Sequence, residues 1–189
     1  MELCINSPQV AVIVATKNRP QLLRDRALHS ISKQTHAAKY LIIVDDSDPV
    51  YWQKNKKAIE CNNFPVDRVH YLTNQRTPGA SGAWNTAIDL LVSNLNVKSN
   101  NLYLAFLDDD DEWHLDMIAN LLNAIKTGKG TDKMAININI NPVDFAAVKK
   151  TVLKNDINMV VVARGSTSIS RTICPCISNY YIGSGDKSH

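Results

Sequence analysis

"VAVIVATKNRP", Val10 to Pro20, is the stretch whose reading decides the rest of the chain. Its first six residues are apolar, mostly β-branched and uninterrupted, bounded by Pro8 on one side and a polar turn on the other. That is the pattern of a strand buried on both faces of a parallel sheet, not of one alternating between core and water. Pro20 stands where a helix can begin, because the first helical position needs no N–H. Leu23, Ala27, Leu28 and Ile31 follow at helical spacing, to about Gln34-Thr35. "YLIIVDDSD" repeats the unit, with an apolar run from Tyr40 to Val44 that stops at Asp45-Asp46. Two such strand-to-polar-loop units predict an α/β fold with a mainly parallel sheet flanked by helices.

Working outward, a polar helix is expected over about Trp52 to Glu60, then a third, less buried strand in "DRVHYLTN", where Val69 and Tyr71 alternate with polar residues. "TPGASGAWNTAIDLLVSNL" opens with turn residues and continues as a helix carrying Ala83, Ala87, Ile88, Leu91 and Leu95 along one face. "YLAFLDDDDEWHLDMI" contains a strand, Leu102 to Leu107, that runs into four consecutive aspartates. A helix starting near Trp113 is expected next, with Leu115, Ile118, Leu122 and Ile125 on its apolar face and its end at Gly128.

Beyond Gly130 the pattern loosens. "MAININI" fits a half-exposed strand, Asn141-Pro142-Val143-Asp144 opens a helix to about Asn155, and "NMVVVA" reads as a buried strand. Arg164 to His189 has no periodicity and reads as loop or flexible tail. The whole, 1–189, is expected to be a single domain: a regular β/α half over 8–127, a shorter second half over 128–163, and the tail 164–189.

A chain of 189 residues is long enough to bury one sizeable core. With 44% hydrophobic and 21% charged residues, disordered and fibrous classes are excluded. A net charge of +3 without a long basic run gives no case for a nucleic-acid partner. Cys4, Cys61, Cys174 and Cys176 lack zinc-knuckle spacing and read as free thiols of a reducing compartment. The five histidines show no metal spacing either. The N-terminal apolar run is too short for a span and has no basic region before it, so neither signal peptide nor membrane span is expected. The expected compartment is therefore the cytoplasm, with peripheral membrane contact compatible with it.

Polar clusters end three apolar strands: Thr16 to Arg19, Asp45 to Asp48, and Asp108 to Asp111. In an open parallel sheet all carboxyl ends lie along one edge, where ligands bind, so the clusters should converge. Four adjacent carboxylates repel, and a solvated turn has no need of them. A hard divalent cation does, taking a few carboxylate oxygens and filling its other positions with water and phosphate. Alternate residues of an extended segment share a direction, which pairs Asp108 with Asp110 and sets Asp109 apart. Asp111 and Glu112 are open to either of two roles, support of the cation site or capping of the following helix.

In order and spacing, "VAVIVATKNRP", "LIIVDDSD", "TPGASGAWNTAIDLL" and "YLAFLDDDDEW" resemble the inverting family 2 glycosyltransferases of GT-A fold, over about Val10 to Ile125. The resemblance implies a metal-assisted transfer from a nucleoside diphosphate-sugar, usually UDP-linked, to an acceptor hydroxyl of a glycan or lipid-linked carrier. It makes 8–127 the nucleotide-sugar-binding half and 128–163 a reduced acceptor-side half. Thr16, Asn18 and Arg19 would lie along the nucleotide, and Asp46 would accept a hydrogen bond from the base while Asp45 supports the loop. Gly79, Ser81, Gly82 and Asn85 would lie under the sugar nucleotide. Asp108 would reach the ribose or metal-bound water, with Asp109 beside it in the nucleotide set, and Asp108 and Asp110 would serve Mn²⁺ or Mg²⁺.

The chain departs from the family at three points. No Glu-Asp pair for the general base follows Lys126, where the acids are Asp132, Asp144, Asp156 and Asp186. Lys17 replaces a common aromatic and reads either as a phosphate partner or as a solvated side chain. Trp84 replaces a common arginine and reads as core. Two rival readings follow: a nucleotide-sugar-binding module without transfer activity, and a nucleotidyltransferase, which Thr16 to Pro20 disfavours by lacking glycine.

Overall fold

The computed structural model describes residues 7–94, 102–126 and 158–159. Five parallel strands, β1 (Gln9–Thr16), β2 (Ala38–Asp45), β3 (Val66–Thr73), β4 (Leu102–Asp108) and the two-residue β5 (Asn158–Met159), form one sheet in the order β3-β2-β1-β4-β5. Parallel neighbours require crossovers, and helices supply them. The first, α1 (20–32), runs as Pro20–Leu22, a π-helical segment Leu23–Leu28, and His29–Ser32. Next come α2 (Pro49–Glu60), α3 (Ala80–Asp89, continuing as a π-helical segment Leu90–Asn94) and α4 (Met117–Lys126).

The uninterrupted apolar runs are buried on both faces, as expected. Val10, Val12 and Val14 pack with Leu23, Ala27, Leu28 and Ile31 on one side of the sheet, together with Trp113, Ile118 and Leu122. Ala11, Ile13 and Ala15 pack on the other side with Ala83, Ala87, Ile88 and Leu91 of α3. Each fully buried branched side chain contributes about 1.5–3 kcal/mol relative to exposure. β3 is the less buried strand, with Val69 41% exposed.

Trp84 lies in the core against Phe106, ring centroids 5.3 Å apart.

Two details correct the sequence reading. The fourth helix starts at Met117, not near Trp113, and Leu115 is 46% exposed instead of facing the core. The reason is tertiary. Residues 113–116 are held by the segment just after α1: Thr35 N–H donates to Leu115 O at 2.9 Å and Gln34 Nε2 to His114 O at 2.8 Å. Gln34 Oε1 then accepts from Ile118 N–H at 3.1 Å, so a side chain from another element satisfies a first-turn donor. Asp111 therefore does not cap this helix. The strand expected at 134–140, the helix at 141–155 and the tail 164–189 lie outside the described residues, as does "NMVVVA" beyond Met159.

Candidate nucleotide and metal site

The strand order reverses at β1, whose neighbours are β2 and β4. Ligands of open parallel sheets bind at this switch point, outside the carboxyl ends of the strands. The register aligns those ends: Thr16 is opposite Asp45, Asp45 opposite Thr73, and Ala15 opposite Asp108. The polar clusters thus share one edge, joined by a fourth, Asn74 to Gly79, after β3.

The β2 end has a buried anion beneath an accessible one. Asp45, 1% exposed, accepts from Ser47 N–H at 2.9 Å, from Asn55 Nδ2 at 2.7 Å and from the Tyr71 hydroxyl. Burial and the bond to Asp45 push the Tyr71 hydroxyl well above the ordinary phenol range. Ser47 Oγ in turn accepts from Asn18 N–H at 2.7 Å, and Asn18 exchanges two side-chain bonds of 2.9 Å with Asp48. These contacts hold Asn18 at φ +56°, a left-handed conformation that asparagine tolerates better than most residues. Tyr71→Phe should destabilise the protein by about 2 kcal/mol, because a buried carboxylate loses a charge-assisted donor. Urea denaturation checks this, and a change below about 0.5 kcal/mol would contradict it.

Asp46 points to the rim. Its Oδ1 accepts from Asn74 Nδ2 at 2.7 Å, and its Oδ2 from Gly79 N–H at 2.8 Å and Lys17 Nζ at 3.1 Å. Burial pushes the Asp46 carboxyl up, but the bonds from Asn74, Gly79 and Lys17 outweigh it and hold it below its ordinary value. Lys17 is thus neither stacked nor simply solvated.

Asn74 also donates to Thr77 O at 3.0 Å and accepts from Arg76 N–H at 2.9 Å, tying the β3 loop together. Gly79, at φ +116° and ψ 172°, turns this loop into α3. Gly82, one turn on, lies against Thr77, and Ser81 O accepts from Asn85 Nδ2 at 2.7 Å. Asn85 is 8% exposed, and its Oδ1 is buried without a donor among the described residues.

At the β4 end the four aspartates separate. Asp109 is fully buried and accepts from Thr16 Oγ1 at 2.7 Å and from Arg19 Nε at 3.2 Å; Arg19 Nη2 pairs with its other oxygen. Burial pushes its carboxyl up, against the lowering effect of Thr16 and Arg19. Asp110 is partly exposed and accepts from Arg19 Nη1 at 2.9 Å. Arg26 Nη1 donates to the Asp110 carbonyl at 2.7 Å and its Nε lies 3.9 Å from Glu112. A turn from Asp108 O to Asp111 N–H, 3.2 Å, gathers the rest, so that Asp108, Asp110 and Asp111 each bring a carboxylate oxygen within 4.8 Å of the others. Two arginines therefore offset the repulsion within the acidic run.

Of the residues picked from sequence, Thr16, Arg19, Asp109 and Asp110 touch one another, and Asp46 touches Gly79. Asp108 joins through the acid group. Asn18 joins through Ser47 and Asp48, whereas Ser81, Gly82 and Asn85 connect only through the α3 turn. The sequence reading missed the Lys17–Asp46 pair, the Asn74 junction and Arg26, and left Asp111, here a third acid of the group, open between support of the cation site and a helix cap. The position of Asn74 directly after a strand was the one signal available for it.

Fold and rim together define a parallel α/β domain whose switch-point edge carries an acidic group that could hold a cation. The sequence profile of Glycosyl transferase family 2 matches residues 11–137, and the chain belongs to that family. The fold is accordingly GT-A-like. The chain is 32% identical over 108 residues to WcaA of Escherichia coli (strain K12), a glycosyl transferase assigned to colanic acid biosynthesis, covering 57% of this chain and 34% of that protein. It is 30% identical over 113 residues to WfgD of Escherichia coli, a UDP-Glc:alpha-D-GlcNAc-diphosphoundecaprenol beta-1,3-glucosyltransferase, covering 60% and 38%. It is 33% identical over 118 residues to the succinoglycan biosynthesis protein ExoW of Rhizobium meliloti (strain 1021), covering 61% and 32%. The matches thus span about a third of the length of these relatives.

Proposed function

We propose that the chain is a glycosyltransferase that moves a sugar, metal-assisted and with inversion, from a nucleoside diphosphate-sugar, UDP-linked, to a hydroxyl of a glycan or lipid-linked acceptor in polysaccharide biosynthesis, its described residues forming the donor-binding side. The observation that carries this reading is the convergence, at the β1 switch point, of Asp46 on one side of the Thr16–Arg19 loop and the acid group on the other. A base would meet Asp46, with Lys17 turning aside, and the diphosphate would lie across the loop towards Asp108 and Asp110.

The acid group consists only of hard carboxylate oxygens, which suits Mg²⁺ or Mn²⁺ and not a soft metal. Asp108 and Asp110, with Asp111, would hold the ion. When bound it neutralises charge developing on a leaving diphosphate. The chain's own cations act on the same charge, with Arg19 beside Asp110 and Lys17 beside Asp46. Asn18 is set by Ser47 and Asp48 to line the nucleotide, and Asp109 fixes Arg19 and Thr16 from beneath. Asn85 Oδ1 is a buried acceptor that a donor-sugar hydroxyl would satisfy.

No helix of the described residues is long and apolar enough to cross a membrane.

Incubating the chain with a panel of UDP-sugars, Mn²⁺ and lipid-linked or free glycan acceptors tests the reading. Release of UDP with a new glycosidic product is expected. Metal-dependent UDP binding without turnover across the panel would favour the binding module instead.

A further inference from the structure

Arg19 already places a cation on the acidic rim. It grips two consecutive aspartates of different character. Asp109 is fully buried, and its Oδ2 and Oδ1 meet Arg19 Nε and Nη2. The Asp110 side chain is 39% exposed and meets only Nη1, at 2.9 Å, while Arg19 itself is 44% exposed. Removing a partner from a buried charge is expensive, whereas a solvent-exposed ion pair exchanges at little cost. The two grips are therefore a fixed one and a replaceable one.

We infer that Arg19 is the internal counter-ion of the acid group: it holds Asp110 in the empty protein and yields it to a divalent cation, pivoting on Asp109. The inference rests on the metal reading above. A guanidinium N–H and a metal ion on the same carboxylate repel one another, so each weakens the other's hold. Arg26, bonded to the Asp110 carbonyl at 2.7 Å, keeps the main chain in place while the side chain changes partner. Thr16 does the same for the pivot through its 2.7 Å bond to Asp109. The freed Nη1 stays on the rim, where a diphosphate would supply its next partner, so exchange at Asp110 couples metal entry to presentation of Arg19.

The test uses the full chain without nucleotide. In wild-type protein titrated with diamagnetic Mg²⁺, ¹⁵N spectra of the Arg19 guanidinium should keep the Nε–H and Nη2 signals of the Asp109 grip while the Nη1 signal loses its restricted rotation. Arg19→Gln should bind Mn²⁺ about three- to tenfold more tightly than wild type. Arg24→Gln, which removes the same charge from an arginine paired with Asp25 and away from the acid group, should change affinity by less than twofold. Equal Mn²⁺ affinity in wild type and Arg19→Gln, with the Arg19 signals unmoved by Mg²⁺, would overturn the counter-ion role and leave the metal site standing. Equal tightening in both arginine variants would also overturn it. If none of the three proteins bound Mn²⁺ at millimolar concentration, the metal reading would fall and this inference with it.

Discussion

Gly82→Ala is expected to destabilise the protein by about 3 kcal/mol and to abolish nucleotide binding in whatever fraction folds. A β-carbon at this position would sit 1.8 Å from the Thr77 carbonyl oxygen and 2.9 Å from its carbon. Both atoms are backbone, so no side-chain rotation relieves the overlap. Overpacking of this kind costs about 1–3 kcal/mol, more where main chain must move. The segment that would move is the one that forms the rim: Thr77 O accepts from Asn74, and Asn74 holds Asp46. The Thr86 hydroxyl, within 3.0 Å of both Gly82 O and Asn74 Oδ1, ties the same turn to α3. Thermal denaturation and UDP titration of the variant check the two parts separately. A melting temperature within a degree or two of wild type would contradict the packing argument.

Asp110→Asn should leave the fold intact and weaken metal-dependent UDP binding at least tenfold, about 1.4 kcal/mol. The side chain is partly exposed and its carboxylate meets the protein through Arg19 Nη1, so little stability depends on it. An amide is a far poorer ligand for a hard cation than a carboxylate. Asp67→Asn, the same loss of charge at an exposed residue paired with Lys39 on β2, controls for net charge and should bind as wild type. Unchanged metal-dependent binding in Asp110→Asn would remove Asp110 from the site.

The β1, β2 and β4 strands were readable because fully buried parallel strands leave an unbroken apolar run, as in Val10 to Ala15. The convergence of their polar ends followed from parallelism alone. What stayed hidden depends on contacts between segments distant in sequence. Trp113 looked like a helix start because Leu115 continues the apolar spacing, but Gln34 and Thr35, some eighty positions earlier, hold that segment out of the helix. Likewise nothing local to "TKNRP" announces that Lys17 reaches Asp46 and Arg19 reaches Asp109 and Asp110. Asp109 could be set apart from its neighbours by strand alternation, yet its complete burial requires Thr16 from the adjacent strand. Asp111 entered the acid group through a tight turn after β4 that a run of four identical residues does not reveal.

On the proposed function, this edge of the sheet binds a nucleoside diphosphate through a divalent cation held by its aspartates. Calorimetric titration of UDP into the wild-type chain, once with Mn²⁺ and once with chelator, tests it most directly. Binding is expected with Mn²⁺, and at least tenfold weaker binding with chelator. Equal UDP affinity in both titrations, or no binding in either, would contradict it.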